Sequence, residues 1–238
     1  MTLSVSGLSV RLNERLILDD VTFESHPGEI TAIIGPPASG KTVLLKTIAG
    51  LVEGFSGSVK HHAATLDPIS PTAWHAGVGM AFQNDALFDA MTVLENVAFP
   101  LHRGGVSDAV ERARALLERV GLGHATEKLP SEISGGMRRR CGIARAAVTR
   151  PAIGLFDDPS AGLDPETSDQ IFELIREQAQ DSVCLIVSNE LPSLLAVADR
   201  VMMLNRGGVV FLGTPEDIGR SHEPTVYQFV RGEIEGPL

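Results

Sequence analysis

Apolar and polar residues alternate through residues 2–11, which predicts a strand with one buried face. Three later runs, at 29–34, 151–156 and 182–188, are apolar at most positions. Runs of this kind are typical of parallel strands that are covered on both faces. A shorter run at 77–82 fits the same description. The chain therefore predicts a mostly parallel sheet with helices on both sides.

A helical period of 3.6 residues appears between these strands. Residues 107–120 have this period, with Ser107 as the predicted N-terminal cap and Gly121 as the stop. Residues 135–150 and 165–180 predict two more helices, the first of them strongly basic. Strands and helices thus alternate along the chain, as they do in α/β folds.

Other parts of the chain depart from this alternation. The start is β-rich, with a second strand predicted at 21–25, and 62–74 is polar and contains prolines, which predicts a surface loop. The middle, about 84–145, is mostly helical and indicates an inserted subdomain. Residues 201–213 predict a hairpin, after which Thr214 caps a helix whose first residue is proline.

Composition narrows the class of protein. The net charge of −10, from 20 basic and 30 acidic residues, argues against a nucleic-acid partner. Cys141 and Cys184 lack metal-ligand spacing and predict buried free thiols in a reducing compartment. The chain has no basic start followed by an apolar core, and no run approaches the length of a membrane span. We therefore expect it to reach a membrane only through a partner.

The segment 35–42, GPPASGKT, fits the pattern G-x-x-x-x-G-K-[ST] at every position. It follows an apolar strand and opens a helix, so its backbone N–H groups can point at phosphate oxygens. Lys41 then reaches the β- and γ-phosphates, and Thr42 supplies a hydroxyl for Mg²⁺. The nucleotide-binding candidates in this segment are Gly35, Pro36, Pro37, Ala38, Ser39, Gly40, Lys41, Thr42 and Val43.

Two carboxylates, Asp157 and Asp158, follow a second apolar run. Asp157 is predicted to hold the Mg²⁺ shell together with Thr42. The alternative interpretation is that both aspartates cap a turn before Pro159. Beside a phosphate-binding loop we favour the metal, so that ATP and Mg²⁺ are the predicted cofactors.

The segment 132–137, EISGGM, resembles the signature of ABC-type ATPases, in which Ser-Gly-Gly opens a helix. Gln83 after a short strand, PSAGLD at 159–164 and Asn189 after a buried strand match the same family in position. The resemblance extends over about residues 2–220. It implies an α/β fold, a P-loop NTPase of ABC type, with a mostly parallel core sheet, an antiparallel β subdomain and a helical subdomain insert.

The resemblance places one ATPase domain at 1–222, with its helical subdomain at about 84–145. Residues 223–238 then form a C-terminal tail. This tail is either a segment that docks on a partner or an ordinary surface helix.

The same resemblance implies that two nucleotides are sandwiched between two ATPase subunits, the second being a copy of this chain or a paralogue. Ser134, Gly135 and Gly136 would donate to the γ-phosphate from across that interface. Gln83 would ligate Mg²⁺ and link the nucleotide to the helical insert, which touches a membrane permease. Asp164 would either bridge the two subunits or hold a turn.

Three segments, at 83–101, 134–140 and 227–238, look like the ATPases of Mla/Mce-type lipid transport systems. The implied cargo is phospholipid or another lipid. The implied partners are an ABC permease, an Mce-domain lipid-binding protein and, in Mla systems, a small STAS-domain subunit. The chain would lie on the cytoplasmic face of the inner membrane.

Three positions depart from the ABC pattern. Asp158 stands where the family has a glutamate that polarises the attacking water, and its side chain is shorter by roughly 1.5 Å. Asn189 stands where the family has a histidine that contacts the γ-phosphate, and it cannot carry that charge. Leu12 replaces the aromatic residue that stacks on adenine. Asp158, Asn189 and Gln83 are the catalytic candidates.

These departures leave three hypotheses open. The first is an ATPase that binds ATP–Mg²⁺ and closes as a dimer but hydrolyses slowly. The second is a hydrolysis-poor switch subunit paired with an active ATPase. The third, a soluble ABC protein of DNA repair or translation, is disfavoured by the acidic charge and the single ATPase domain.

Three consecutive arginines, at 138–140, follow the signature. We interpret them as a solvated helix face. The alternative is that they favour the anionic nucleotide or an acidic partner.

Overall fold

A computed structural model describes residues 2–62, 64–67, 72–75, 77–233 and 236. The strands are β1 (Leu3–Leu12), β2 (Arg15–Ser25), β3 (Ile30–Ile34), β4 (Ser56–His61), β5 (Ala64–Thr65), β6 (Val78–Ala81), β7 (Ile153–Asp157), β8 (Val183–Val187), β9 (Arg200–Asn205) and β10 (Gly208–Gly213). The α-helices are α1 (Lys41–Ile48), α2 (Thr72–His75), α3 (Val93–Arg103), α4 (Ala109–Arg119), α5 (Gly135–Ala147), α6 (Pro165–Ala179), α7 (Leu191–Val197), α8 (Pro215–Gly219) and α9 (Pro224–Arg231).

The core sheet has six strands in the order β10-β9-β3-β8-β7-β6. All of its neighbouring pairs are parallel except β9 and β10, which form the predicted hairpin at one edge. Every residue of β3, β7 and β8 is buried. The predicted parallel sheet, covered on both faces, is confirmed.

Strand β8 shows how one sheet supports two hydrophobic cores. Its side chains alternate between the faces. Cys184 and Ile186 pack into the core shared with the helical subdomain. Val183, Leu185 and Val187 pack into the core shared with the antiparallel sheet. Apolar residues at consecutive positions are needed because neither face of the strand meets water.

The antiparallel β subdomain is a four-stranded sheet in the order β2-β1-β4-β5. Its second strand begins at Arg15, so the strand predicted at 21–25 is only the end of a longer one. The hairpin turns at Asn13 and Glu14, both with positive φ. Most such turns contain a glycine, and neither of these residues is one. The turn therefore could not be recognised in the sequence, and the start of β2 was not predicted.

The helical subdomain contains α3, α4 and α5, as the pattern at 84–145 predicts. A capping box between Thr92 and Glu95 starts α3. The predicted cap of α4 is wrong, because Asp108 rather than Ser107 precedes its first turn and makes no side-chain cap bond. The predicted stop is confirmed, since Gly121 follows α4 with φ 69°.

The surface loop predicted at 62–74 is wrong at two places that the structure describes. Ala64 and Thr65 pair with β4 as a short strand, and Thr72–His75 forms a helical turn. Trp74 is 7% exposed, and its indole N–H donates to the Ile48 carbonyl at 2.7 Å. This tryptophan anchors the segment to the end of α1. Residues 62 and 66–67 have no regular secondary structure, as expected of a loop, and the other residues of the segment lie outside the described part of the chain.

Trp74→Phe is expected to lower the free energy of unfolding by about 1–3 kcal/mol. The change leaves the buried Ile48 carbonyl without its donor while keeping most of the apolar area. Urea denaturation followed by far-UV circular dichroism measures the difference. An unchanged midpoint would show that the indole bond contributes nothing to stability.

The C-terminal part follows the predicted capping pattern. Thr214 and Asp217 form a capping box, and α8 begins at Pro215. After it, α9 packs through Val226, which is fully buried, while Tyr227 is 42% exposed. The first half of the tail predicted at 223–238 is thus a helix packed on the domain. Whether the tail docks on a partner stays a prediction.

Both cysteines are buried free thiols, as predicted. Burial raises the pKa of Cys141 to about 12 and that of Cys184 to about 11. Within the described part of the chain, none of the helices combines the length and the apolar character of a membrane span.

Candidate functional site

The loop between β3 and α1 is built around two glycines in the left-handed region. Gly35 has φ 140°, and a Cβ added there would overlap the Leu204 carbonyl oxygen of β9. Gly40 has φ 105°, and its added Cβ would lie 2.6 Å from Leu18 Cδ2. Residues with side chains are strained at both positions. The two glycines of the predicted motif therefore fix the path of the loop.

The β9–β10 turn holds the same loop from one side. The Gly207 N–H donates to the Ser39 carbonyl at 3.2 Å, and the Gly207 carbonyl accepts from the Asp19 N–H of β2 at 3.0 Å. The Ser39 hydroxyl is buried and has no hydrogen-bond partner among the described residues. An unpaired buried hydroxyl inside this loop fits a site for phosphate oxygens.

Lys41 is the first residue of α1 and is 9% exposed. Its ammonium group donates to the Gly35 carbonyl at 2.7 Å and to the Pro36 carbonyl at 2.9 Å. Burial lowers the pKa of Lys41, while the carboxylates of Asp157 and Asp158 act in the opposite direction. The structure thus places one cation inside the loop, next to two acids at the end of β7.

Thr42 and Asp157 come together as the sequence predicts. Thr42 Oγ1 donates to Asp157 Oδ1 at 3.2 Å, and Asp157 is 3% exposed. Burial raises the pKa of Asp157, and the bond from Thr42 lowers it. A hydroxyl and a carboxylate beside a phosphate-binding loop fit Mg²⁺, which prefers oxygen ligands. The described residues contain no group of three His, Cys, Asp or Glu able to hold a metal, so this site would also need phosphate oxygens.

Asp157→Asn is expected to raise the melting temperature at neutral pH by a few degrees, the change expected for about 1 kcal/mol in a chain of this size. The raised pKa means that the charged carboxylate destabilises the fold above its folded-state pKa. The gain should vanish at a pH below the ordinary aspartate pKa, where both states are protonated. Thermal melts between pH 3 and 8, about the range that spans this titration, measure it. The same change at the exposed Asp169 is the control.

Asp158 is 7% exposed and has φ 55°, in the left-handed region. The Ser188 hydroxyl donates to its Oδ1 at 3.2 Å, and the Asn189 amide donates to its Oδ2 at 3.4 Å. The Asp158 N–H donates to the Val187 carbonyl at 2.7 Å. The end of β8 therefore holds both carboxylate oxygens, and the two catalytic candidates that depart from the ABC pattern contact each other.

The Ser-Gly-Gly segment lies at the start of α5. Ser134 is its N-cap and accepts a hydrogen bond from the Met137 N–H at 3.2 Å. Ser134 and Gly135 are exposed, and Gly136 packs beside Leu163. Among the described residues, no hydrogen bond joins this segment to the phosphate loop. The start of α5 is thus open to solvent within one protomer.

Two other candidates are Gln83 and Leu12. In the part of the chain that the structure describes, no hydrogen bond joins either of them to the loop at 35–42. Gln83 is exposed just after β6, and Leu12 ends β1 with 39% of its surface exposed. Their predicted contacts with Mg²⁺ and adenine stay predictions.

The family model for ABC transporters matches residues 18–161, more than half of the 238-residue chain. The chain belongs to the ABC transporter family. It is an ATPase of the ABC type, which confirms the resemblance seen in the sequence at that level.

Two curated relatives show how far this family assignment extends. The ABC ATPase is 36% identical over 246 residues to the probable ribonucleotide transport ATP-binding protein mkl of Mycobacterium leprae, covering 100% of this chain and 71% of that protein. It is 34% identical over 239 residues to the intermembrane phospholipid transport system ATP-binding protein MlaF of Escherichia coli, covering 97% and 89%. The two relatives are named for different cargoes.

A solved structure agrees with the fold. The dimeric, post-hydrolysis structure of the ATP-binding cassette MJ0796, bound to ADP and Pi, superposes with a TM-score of 0.80 at 27% identity. The match covers 90% of the ABC ATPase and 98% of that cassette. The predicted fold class, with its parallel core and separate antiparallel sheet, is confirmed.

The arginines of α5 in this ABC ATPase are not a solvated face, and that interpretation was wrong. Arg138, Arg139 and Arg140 are half-buried, and each donates to a backbone carbonyl. The acceptors, in the same order, are Ile133 at 3.0 Å, Phe82 at 3.4 Å and Val120 at 2.9 Å. Long side chains on a helix can bury their stems and still reach such carbonyls. Arg138 thus bonds the residue just before the α5 cap, Arg139 ties α5 to the segment after β6, and Arg140 ties it to the end of α4.

Sequence reasoning missed several residues around the site. Ser188 holds Asp158, and Asp85 and Arg145 join the loop after Gln83 to α5. A serine at a strand end and an aspartate in a loop carry no motif of their own, so no signal in the sequence could find them. Asp164, singled out beforehand, caps α6 by accepting from the Thr167 N–H at 2.9 Å.

Proposed function

We propose that the chain is the ATP-binding subunit of a lipid transporter, and that it works as a nucleotide-sandwich dimer which drives a membrane permease. The observation that carries this proposal is the open start of α5. Ser134 and Gly135 are exposed and are not hydrogen-bonded to the phosphate loop of their own protomer. Their donors are available to a nucleotide held by a second protomer. The fold likeness to a dimeric cassette bound to ADP and Pi supports the same arrangement.

In this proposal the loop from Gly35 to Val43 binds the phosphates, with Lys41 as its central cation. Thr42 and Asp157, with Gln83, would hold Mg²⁺, which supplies charge neutralisation at the phosphates when it is bound. Leu12 would contact adenine. Thr42 and Asp157 are supported by their 3.2 Å contact beside the loop, whereas Gln83 and Leu12 rest on position alone.

We further propose that hydrolysis is slowed, because the short Asp158 side chain takes the position of a longer base. Its carboxylate is bound to Ser188 and Asn189 at the end of β8, so it cannot extend without breaking those contacts. A hydrolysis-poor switch subunit paired with an active ATPase is the second candidate. The specific observation that favours it is this contact between the two departures, Asp158 and Asn189.

The proposed cargo is a lipid, with phospholipid first. Support comes from the likeness to MlaF, which extends over 97% of this chain, although mkl is named for ribonucleotides. The corresponding partners are a permease dimer, an Mce-domain protein and, as in Mla systems, a STAS-domain subunit. The ATPase would lie on the cytoplasmic face of the inner membrane, with residues 223–238 as a docking segment.

Light scattering on the Asp158→Asn protein, in which we expect the slowest hydrolysis, tests the dimer. The mass should double with ATP and Mg²⁺ but not with ADP. Adding Ser134→Arg should abolish the doubling while calorimetry still detects ATP binding, because a bulky cation would fill the interface. Ser107→Arg, at an exposed position before α4, is the control. Failure to dimerise despite nucleotide binding, or a dimer that survives Ser134→Arg, contradicts the sandwich.

Vesicle transfer tests the cargo. The chain, tagged and purified with its permease from native membranes, is reconstituted with a fluorescent phospholipid or a labelled ribonucleotide. ATP-dependent movement of the phospholipid alone supports the proposal. Movement of the ribonucleotide alone would reject lipid as the cargo and leave the ATPase assignment intact.

A further inference from the structure

The segment after β6, residues 82–88, carries Gln83 and is bent into an unusual path. Asp85 and Ala86 have φ of 59° and 49°, in the left-handed region. Side chains are disfavoured there, so the surrounding structure must hold the bend. We call residues 82–88 the glutamine loop.

Helix α5 contacts the glutamine loop through an ion pair that is largely shielded from solvent. Arg139 Nε lies 3.3 Å from Asp85 Oδ1, and the two side chains are only 14% and 16% exposed. Arg139 also donates to the Phe82 carbonyl at 3.4 Å. The contact does not meet hydrogen-bond geometry, and burial raises the pKa of Asp85 more than Arg139 lowers it. The pair is nevertheless less screened than a surface pair, and removing one partner leaves the other charge unpaired.

A second arginine attaches the backbone of the loop to the same helix. Arg145 donates to the Ala86 carbonyl at 2.8 Å and to the Asp85 carbonyl at 3.0 Å. Its guanidinium also lies 5.6 Å from the centre of the Phe88 ring. These contacts do not use the Asp85 carboxylate, so the loop should remain attached when that charge is removed.

The close approach of helix and loop is helped by Gly142, which lies between the two arginines. An added Cβ at Gly142 would lie 3.1 Å from the Asp85 carbonyl oxygen. The backbones are therefore in direct contact, and α5 and the loop form one packed unit.

We propose that the Asp85–Arg139 ion pair is a positioning device that sets Gln83 relative to Ser134. Ser134 and Arg139 are on one rigid element, because Ser134 caps α5 and Arg139 lies in the second turn of that helix. Asp85, the other member of the pair, lies in the glutamine loop two residues after Gln83. When the start of α5 engages a nucleotide, the pair carries that placement to Gln83. The inference rests on the proposed roles of Gln83 and Ser134, and Asp85 and Arg139 are positioning residues that do not touch the nucleotide.

A double-mutant cycle tests the device. Asp85→Asn and Arg139→Gln should each lower kcat for ATP hydrolysis about tenfold and raise the Mg²⁺ concentration at half-maximal rate several-fold, since a misplaced ligand on the order of 1 Å is costly. ATP affinity measured without Mg²⁺ should change less than about twofold, because the phosphate loop is untouched. The double variant should be no slower than the slower single one.

Arg140→Gln is the matched control, because Arg140 is the next residue on α5 and bonds Val120 instead of the glutamine loop. It should cost stability while leaving the Mg²⁺ dependence unchanged. Hydrogen exchange in residues 82–88 should rise in the Asp85 and Arg139 variants only. If the two single effects simply add, or if the Mg²⁺ dependence stays at the wild-type value, the positioning role is wrong.

The Gln83→Ala variant tests the proposed role of Gln83 separately from the proposed role of the ion pair. If Gln83→Ala impairs Mg²⁺-dependent hydrolysis while the ion-pair variants do not, the inference fails and the proposed function stands. If Gln83→Ala has no effect, the proposed role of Gln83 fails, and the ion pair with it.

Discussion

Lys41→Ala is expected to lower kcat for ATP hydrolysis by about 10²- to 10³-fold, the loss typical of removing one preorganised charge from a reacting centre. Lys41 is 9% exposed and held by the Gly35 and Pro36 carbonyls, so no solvent cation substitutes for it easily. Steady-state phosphate release over a range of ATP concentrations measures the loss. ATP affinity should also fall, because the proposed role of this cation includes contact with the phosphates in the ground state.

Lys46→Ala provides the matched comparison. Lys46 lies on the same helix, α1, but is exposed, and its loss should change kcat less than twofold. Comparable losses in both variants would mean that helix stability, rather than the ammonium group in the loop, is responsible. Retention of full activity by Lys41→Ala would remove the basis for a phosphate site at residues 35–42.

Asp158→Glu combined with Asn189→His is expected to raise kcat by about 10²-fold. The longer carboxylate recovers roughly 1.5 Å of reach, and misplacement of about 1 Å can cost that factor. Histidine in place of Asn189 removes the amide donor that now lies 3.4 Å from Asp158 Oδ2. Single-turnover and steady-state phosphate release, measured on the purified chain, separate the chemical step from product release.

Each single variant should give a smaller gain than the pair, because Asp158 and Asn189 are in contact and are not independent sites. Asp158→Asn, which keeps the size but loses the charge, should be the slowest of the series. If the wild type already turns over as fast as the double variant, hydrolysis is not slowed by these residues. If Asp158→Asn matches the wild type, the switch-subunit alternative is favoured.

The elements that the sequence predicted well are those whose signal is local. Strands β3, β7 and β8 are each five residues long and apolar at most positions, which is the pattern of a parallel strand buried on both faces. The phosphate loop is contiguous, so its glycines, lysine and threonine could be read together. The α8 cap is local for the same reason.

The parts that the sequence could not predict depend on distant partners. Arg145 meets the Asp85 carbonyl across 60 residues of chain, and Ser188 meets Asp158 across 30. A helical period shows that a helix exists, but it does not show which long polar side chains will find carbonyls to bind. The arginines of α5 were therefore assigned to solvent in error. Trp74 was missed likewise, because prolines around it indicate a loop and its acceptor belongs to α1.

The crowding at Gly35 also affects the thermodynamics of ligand uptake. The Leu204 carbonyl and the β9–β10 turn contact the loop at 35–42 and hold it against the core sheet. The shape of the loop is therefore established when the protein folds. The loop therefore loses its conformational entropy when the protein folds, and it loses little more when a ligand binds. We expect calorimetry of the isolated chain to show a heat-capacity change that matches only the area the ligand covers, without the larger signature of a segment that folds on binding.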